Sequence, residues 1–451
     1  MIKKIKRFFD KIENIYLFFA LLFGVIMTFI MPPFEVPDED RHYFKAWEVA
    51  NGQIFCKEEK SNYIPQEALD LPEQMSLLPT EHKKIAKFDF GKVVENLKQE
   101  TNYNKIETIK TQFCGAAPFG YLATASSLKI GELINLPIIA NFYLGRFINL
   151  ALAIFIIYLS IKITPVGKMV FLTLALLPMT VQELASFSYD SLHISLIFLF
   201  IAYLLKLHFE KNKSLGKKDL WILFTLSLVA LNIKFGYFPL AGLIFLVPNS
   251  KFKNNKTAWI FKIIFSLINI LFFLLLYKIF QFPTVWPEGV NVSQQISFVF
   301  DHPFYFIKSV LFSTFQNGLL YLQGIIGIPG PFRTSFPLFT YLLVLMGIPF
   351  LVTMEKEKLN FSLKENLLTL SIAIINIFLI FFVLYLIWTP VGNSIVLGVQ
   401  GRYFVVISLL IALLVSQFKI KFELKHKSLY LSLYLIILFF SVFSSILNLY
   451  Y

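Results

Sequence analysis

The chain has 451 residues, of which 57% are hydrophobic and only 15% charged, with a mean hydropathy of +0.67 and a formal charge of +13. Soluble domains carry roughly 25% charged residues, so the composition excludes a soluble globular protein. The lysines sit in short loops between apolar runs, the pattern that sets membrane orientation, and this excludes nucleic acid as the partner of that charge.

In chain order, a basic N-terminus (Lys3, Lys4, Lys6, Arg7) precedes an apolar run near 15–32 that ends in Pro-Pro. No small-residue cleavage site follows, so this run reads as an uncleaved anchor. Later basic clusters are Lys162 and Lys168; Lys206, Lys211, Lys213, Lys217 and Lys218; Lys251, Lys253 and Lys256; Lys356, Lys358 and Lys364; and Lys419, Lys421, Lys425 and Lys427. With all of these in the cytoplasm, spans of the length a bilayer needs fall near 15–32, 141–161, 168–184, 191–208, 220–235, 237–249, 258–281, 337–353, 367–388, 402–417 and 429–449. Two further apolar stretches, 119–137 and 306–330, read as interfacial or re-entrant, because each extra crossing inverts every later loop. The expected fold is all-α, a polytopic membrane helical bundle of about eleven crossings. A tail and first transmembrane helix (1–32) lead into a large extracytoplasmic loop with interfacial helices (33–140), then the bundle (141–451).

This topology gathers polar groups from distant places on one face. The first loop opens with "PPFEVPDEDRH" (32–42), and "QELASFSYDSLH" (182–193), "NIKFGYF" (232–238) and "TPVGNSIVLGVQGRYF" (389–404) share its side. Ionisable groups at membrane depth are costly, so such a gathering marks a candidate site. The order and spacing of "PPFEVPDEDRH", "LPMTVQELASFSYDSL" (177–192) and "VQGRYF" (399–404) resemble a bacterial family of polytopic membrane proteins of unknown function, over nearly the whole chain. That family in turn looks like the C-type (GT-C) glycosyltransferases. These take a sugar from a polyprenyl-phosphate carrier on the outer face, and some carry an Asp-Glu pair in the same first loop.

The resemblance implies an inverting transferase in the bacterial inner membrane. Its partners would be a polyprenyl-phosphate-linked sugar donor, a cell-envelope glycan or glycolipid acceptor, and membrane lipids. Such chemistry needs a base for the acceptor hydroxyl and cations for the leaving phosphate. By resemblance Asp38 is the base and Glu39 supports it, while Asp190 and Glu39 are the candidates to hold a divalent cation, Mg or Mn. Arg402, with Tyr403 beside it, suits a phosphate, because guanidinium bonds it at two points. Lys234 and Arg146 are further phosphate candidates, with an interfacial snorkelling lysine as the alternative at 234. His42, one helical turn beyond Asp38, can share its face; a capping or packing histidine is its alternative. "CGAAPFGYL" (114–122) resembles the "PPLYY" segment of the C-type enzymes but has Ala117 for the first proline and no lysine just before it. That departure shifts weight onto Arg402, Lys234 and Arg146.

No His-Glu-x-x-His, phosphate-binding Gly-rich loop or Gly-x-Ser-x-Gly elbow occurs, which excludes the corresponding metalloprotease, ATPase and hydrolase readings. A flippase or exporter of lipid-linked glycan is the alternative function, but such transporters tend toward internal repeats with charges near the midplane. The two cysteines, Cys56 and Cys114, fall in the same outer loop. A bond between them would close a loop of about 59 residues, worth about 4 kcal/mol on the chain-entropy estimate; two free thiols are the alternative.

Overall fold

The computed structural model describes residues 8–55, 60–75, 77, 87–110, 117–210, 214–280, 287–330, 334–353, 355, 359–417 and 427–451. Cys56, Cys114, Lys213 and Lys425 lie outside them. The described chain is almost wholly helical. α1 (Ile12–Ile30) ends where Pro32 and Pro33 deny the helix further amide donors. α2 (Glu39–Ala50) follows, with Glu39 and Asp40 at its positive end. The first long loop also holds α3 (Gln66–Met75), α4 (Phe90–Asn96) and a feature the all-α expectation lacked. This is a two-stranded antiparallel sheet, β1 (Lys60–Pro65) on β2 (Ile106–Lys110), with Ile64 opposite Glu107. A short 3-10 turn (Pro118–Tyr121) and α5 (Leu122–Leu133) lead into α6 (Ile138–Ile163), which packs against α1, α5 and α9 (Asp190–Phe209).

Among the described residues six helices are long and apolar enough to cross a membrane: α1, α6, α9, α11 (Asn255–Ile279), α15 (Leu363–Ile387) and α17 (Lys427–Tyr450). The expected count of about eleven is therefore not met by continuous helices. Segment 168–184 splits into α7 (Lys168–Ala175) and α8 (Pro178–Leu184), because Pro178 begins a new helix at its first position. Segment 220–235 is α10 (Lys217–Ala230), and 237–249 is a nine-residue 3-10 helix, Phe238–Leu246. At 1.5 Å per residue α10 rises roughly 21 Å, well short of a ~30 Å hydrocarbon core. Segments 337–353 and 402–417 are the shorter apolar helices α14 (Leu338–Thr353) and a 3-10 turn (Gly401–Phe404) running into α16 (Val405–Val415). Of the two stretches read as non-crossing, 119–137 holds α5, and 306–330 lies mostly in α13 (Pro303–Ile326), which follows α12 (Val292–Asp301) and is not one of the six. Hydropathy sums composition and does not register where the backbone breaks, so interrupted apolar sequence reads as complete spans.

Candidate functional site

The polar residues meet where helices end. Asp38 stands immediately before α2 in the left-handed region, at φ 61°. Its side chain makes no cap bond to α2 and turns instead to Arg402, whose Nη2 donates to Asp38 Oδ2 at 2.6 Å. Arg402 is drawn in by its neighbours: Gly401 lies so close to α13 that a Cβ on Gly324 would stand 2.9 Å from the Gly401 amide nitrogen. A side chain at 401 would overlap the Tyr321 carbonyl. Once there, Arg402 donates through Nε to Gln400 Oε1 at 2.7 Å, and through Nη1 to Glu183 Oε1 at 3.1 Å and the Pro37 carbonyl at 3.2 Å.

A second ion pair adjoins the first. Asp190, the first residue of α9, takes two bonds from Lys234 Nζ, each 2.8 Å. Lys234 sits on the turn after α10, which reverses at Gly236 (φ 105°), and the Gly236 carbonyl accepts from Asn376 of α15. The Tyr403 ring lies against both cations, with its centroid 4.0 Å from Lys234 Nζ and 5.6 Å from the Arg402 guanidinium carbon. The Tyr237 hydroxyl fixes Tyr403 by donating to its carbonyl at 2.7 Å. Beside them His42 Nδ1 is 2.7 Å from the Tyr121 hydroxyl, and its ring stands edge-on to Tyr189.

Electrostatics divides these groups. Burial alone would raise the Asp38 carboxyl, but the Arg402 guanidinium, with His42 and Arg41 nearby, outweighs it and holds the group below the usual carboxylate range. Burial pushes the His42 imidazole down to about 3, leaving the ring neutral at physiological pH. A neutral histidine bonded to a tyrosine can orient a hydroxyl-bearing ligand, but it adds no charge to the site.

Asp38, His42, Asp190, Lys234, Arg402 and Tyr403 are thus brought together. Glu39 and Arg146 are not with them. Glu39 is fully buried, and each of its oxygens is taken twice: Oε1 by Arg146 Nε (2.8 Å) and the Phe187 amide (3.1 Å), Oε2 by Arg146 Nη2 and the Phe34 amide (3.0 Å). Arg146 donates its remaining N–H groups to the carbonyls of Thr28, Met31 and Pro32. Those carbonyls lie at the C-terminus of α1, where backbone acceptors have no partner within the helix. All five donors of Arg146 are spent on the interior, so it has none left for a phosphate. Glu39 builds the site from behind, fastening the entry loop and the 186–189 loop to α6. Asn149 of α6 does likewise through the carbonyls of Ser186 and Ser188.

A divalent cation finds no fit in these residues. The oxygens of Glu39 and Asp190 are committed to separate cations. Among the described residues no three histidine, cysteine, aspartate or glutamate side chains converge on one point. Sequence reasoning did not single out Glu183, Gln400, Tyr121, Tyr189 or Tyr237. The available signal was Glu183 itself, a carboxylate inside a run read as a span.

No curated protein and no solved structure matches the chain. One family model, described as a predicted membrane protein (DUF2142), matches residues 21–411, a stretch that takes in every residue of the site from Asp38 to Tyr403. The chain is thus a member of the DUF2142 family of membrane proteins.

Proposed function

We propose that this protein is an inverting glycosyltransferase of the bacterial inner membrane, moving a sugar from a polyprenyl-phosphate donor to a cell-envelope glycan or lipid acceptor on the extracytoplasmic face. The observation that carries the reading is the partly exposed Asp38 carboxylate, 35% accessible, set against Arg402 with Lys234 beside it. Asp38 takes the proton of the acceptor hydroxyl, and the acceptor oxygen bonds to the anomeric carbon. The bond from that carbon to the donor phosphate oxygen breaks, and the phosphate leaves with the electron pair. Arg402 and Lys234 meet the charge it carries away. Tyr403 and His42 lie beside these groups, Tyr403 against both cations and His42 edge-on to Tyr189.

A lipid carrier is supported by an apolar groove of about 570 Å³, lined by Phe238, Ile270, Phe306, Ile375, Phe378 and Phe382. One of its lining residues, Phe238, stands four residues after Lys234 in the chain. The direct test is incubation of purified protein with polyprenyl-phosphate sugars. Donor consumption with release of polyprenyl phosphate is expected, and transbilayer movement of intact donor would replace this reading with the flippase.

Topology gives a separate check. In a Cys56→Ser, Cys114→Ser background, Lys213→Cys and Lys425→Cys are expected to resist a membrane-impermeant thiol reagent on intact cells. Gly52→Cys, beyond α2 on the loop that carries Asp38, is expected to react. Labelling at position 213 from outside overturns the assigned orientation.

A further inference from the structure

Arg402 is shared by two carboxylates of opposite character. Glu183 is wholly buried and Asp38 is about a third exposed, while Arg402 itself is only 5% exposed. Two of its contacts are interior, Glu183 and the Pro37 carbonyl on Nη1, while Nε donates to the part-buried Gln400 two residues back in the chain. The Nη2 contact is with the Asp38 carboxylate, the more exposed of the two acidic partners of Arg402. Any anion reaching Arg402 from outside therefore competes with Asp38. Glu183 stays, because moving it would strand a buried charge.

We propose that Arg402 exchanges partners on donor binding: the donor phosphate displaces Asp38 from Nη2, while Glu183 and Gln400 hold the guanidinium in place. The proposal rests on the transferase reading above and adds an order of events to it. Paired with Arg402, the Asp38 carboxylate is a poor proton acceptor, because protonation would forfeit the ion pair. Displaced, it regains its basicity beside the donor it is to serve. The base is thereby armed by the donor, and Glu183 becomes the positioning residue that makes exchange possible. A phosphate can replace a carboxylate here because both offer oxygens that guanidinium bonds in pairs. The fixed side of the site is rigid: Gly401 abuts the backbone of α13, and Tyr403 is tied to Tyr237. The Asp38 side chain, by contrast, makes no cap bond to its own helix.

Removing the competitor must then tighten phosphate binding even as it lowers turnover by about a hundredfold or more, an effect that a merely structural Asp38 does not produce. The experiment measures binding of polyprenyl phosphate, with the uncharged polyprenol as control, to the full chain in detergent. Wild type is compared with Asp38→Asn and with Asp38→Gly, which suits the positive φ and guards against misfolding of the first. Both variants are expected to bind the phosphate lipid about tenfold or more tightly than wild type, with polyprenol unchanged. Preference for the phosphate lipid without tightening in either variant overturns the exchange alone. No preference for it in any of the three proteins overturns the exchange and the lipid-phosphate reading together.

Discussion

Arg146→Met is expected to abolish accumulation of folded protein, although position 146 touches none of the site's ion pairs. The substitution keeps much of the side-chain length and removes the charge. It leaves Glu39 ionised with no cation, and strips the Thr28, Met31 and Pro32 carbonyls of their donors. Breaking a buried ion pair from one side costs about 3–5 kcal/mol, a large fraction of the roughly 5–15 kcal/mol by which folded domains exceed their unfolded states. Glu39→Gln should fare little better, because its amide nitrogen would face the Phe34 or Phe187 amide or the guanidinium, donor against donor. The double variant Glu39→Leu/Arg146→Met removes both charges, so its loss should be less than the sum of the single losses. Recovery stays incomplete, since the backbone groups both side chains served remain unsatisfied. Thermal melting and monodispersity in detergent measure this. An Arg146→Met protein that melts like wild type removes the scaffold role argued for the pair.

What could be read in the sequence was the site's membership more than its internal roles. Asp38, His42, Asp190, Lys234 and Arg402 stand out because a charged residue in so apolar a chain needs a reason, and the structure brings all five into one cluster. Adjacency misled at Asp38 and Glu39. Neighbouring side chains at a helix start diverge, and the left-handed backbone at 38 sends one to Arg402 and the other into the interior. Sequence has no measure of depth, so two carboxylates one residue apart looked chemically equivalent. Arg146 drew a phosphate role because its partners, carbonyls at the end of α1, belong to backbone and leave no mark in the pattern of side chains. Glu183 was passed over for a related reason: its importance lies in a contact with a residue 219 positions away. The helical class and the first long loop were legible from apolar runs alone. The interruptions at Pro178 and at the 3-10 helix Phe238–Leu246, which bring Glu183 and the Lys234 turn to the site, were the price of reading hydropathy without backbone geometry.

Asp38→Asn is expected to reduce turnover by about a hundredfold or more, the range over which a positioned base contributes, while the protein folds and inserts normally. The amide matches the carboxylate in size and can still accept from Arg402 Nη2, so the loss isolates proton acceptance. The pH profile separates this role from a loss of shape. Arg402 holds the wild-type Asp38 carboxyl below the usual carboxylate range in the unliganded protein, so the acid limb of kcat/KM, which reports free enzyme, should lie below that range. The same sign governs stability. A carboxyl whose folded pKa is depressed contributes stability above its unfolded pKa, and that contribution fades as pH falls through the folded value. Melting of wild type should therefore weaken toward acid more than melting of Asp38→Asn does. Asp38→Gly gives the complementary result. Relief of the left-handed strain, on the order of 1 kcal/mol, partly offsets the lost ion pair, yet with no proton acceptor at 38 turnover should stay as low as in the asparagine variant. Full donor consumption by either protein would move the base to another residue.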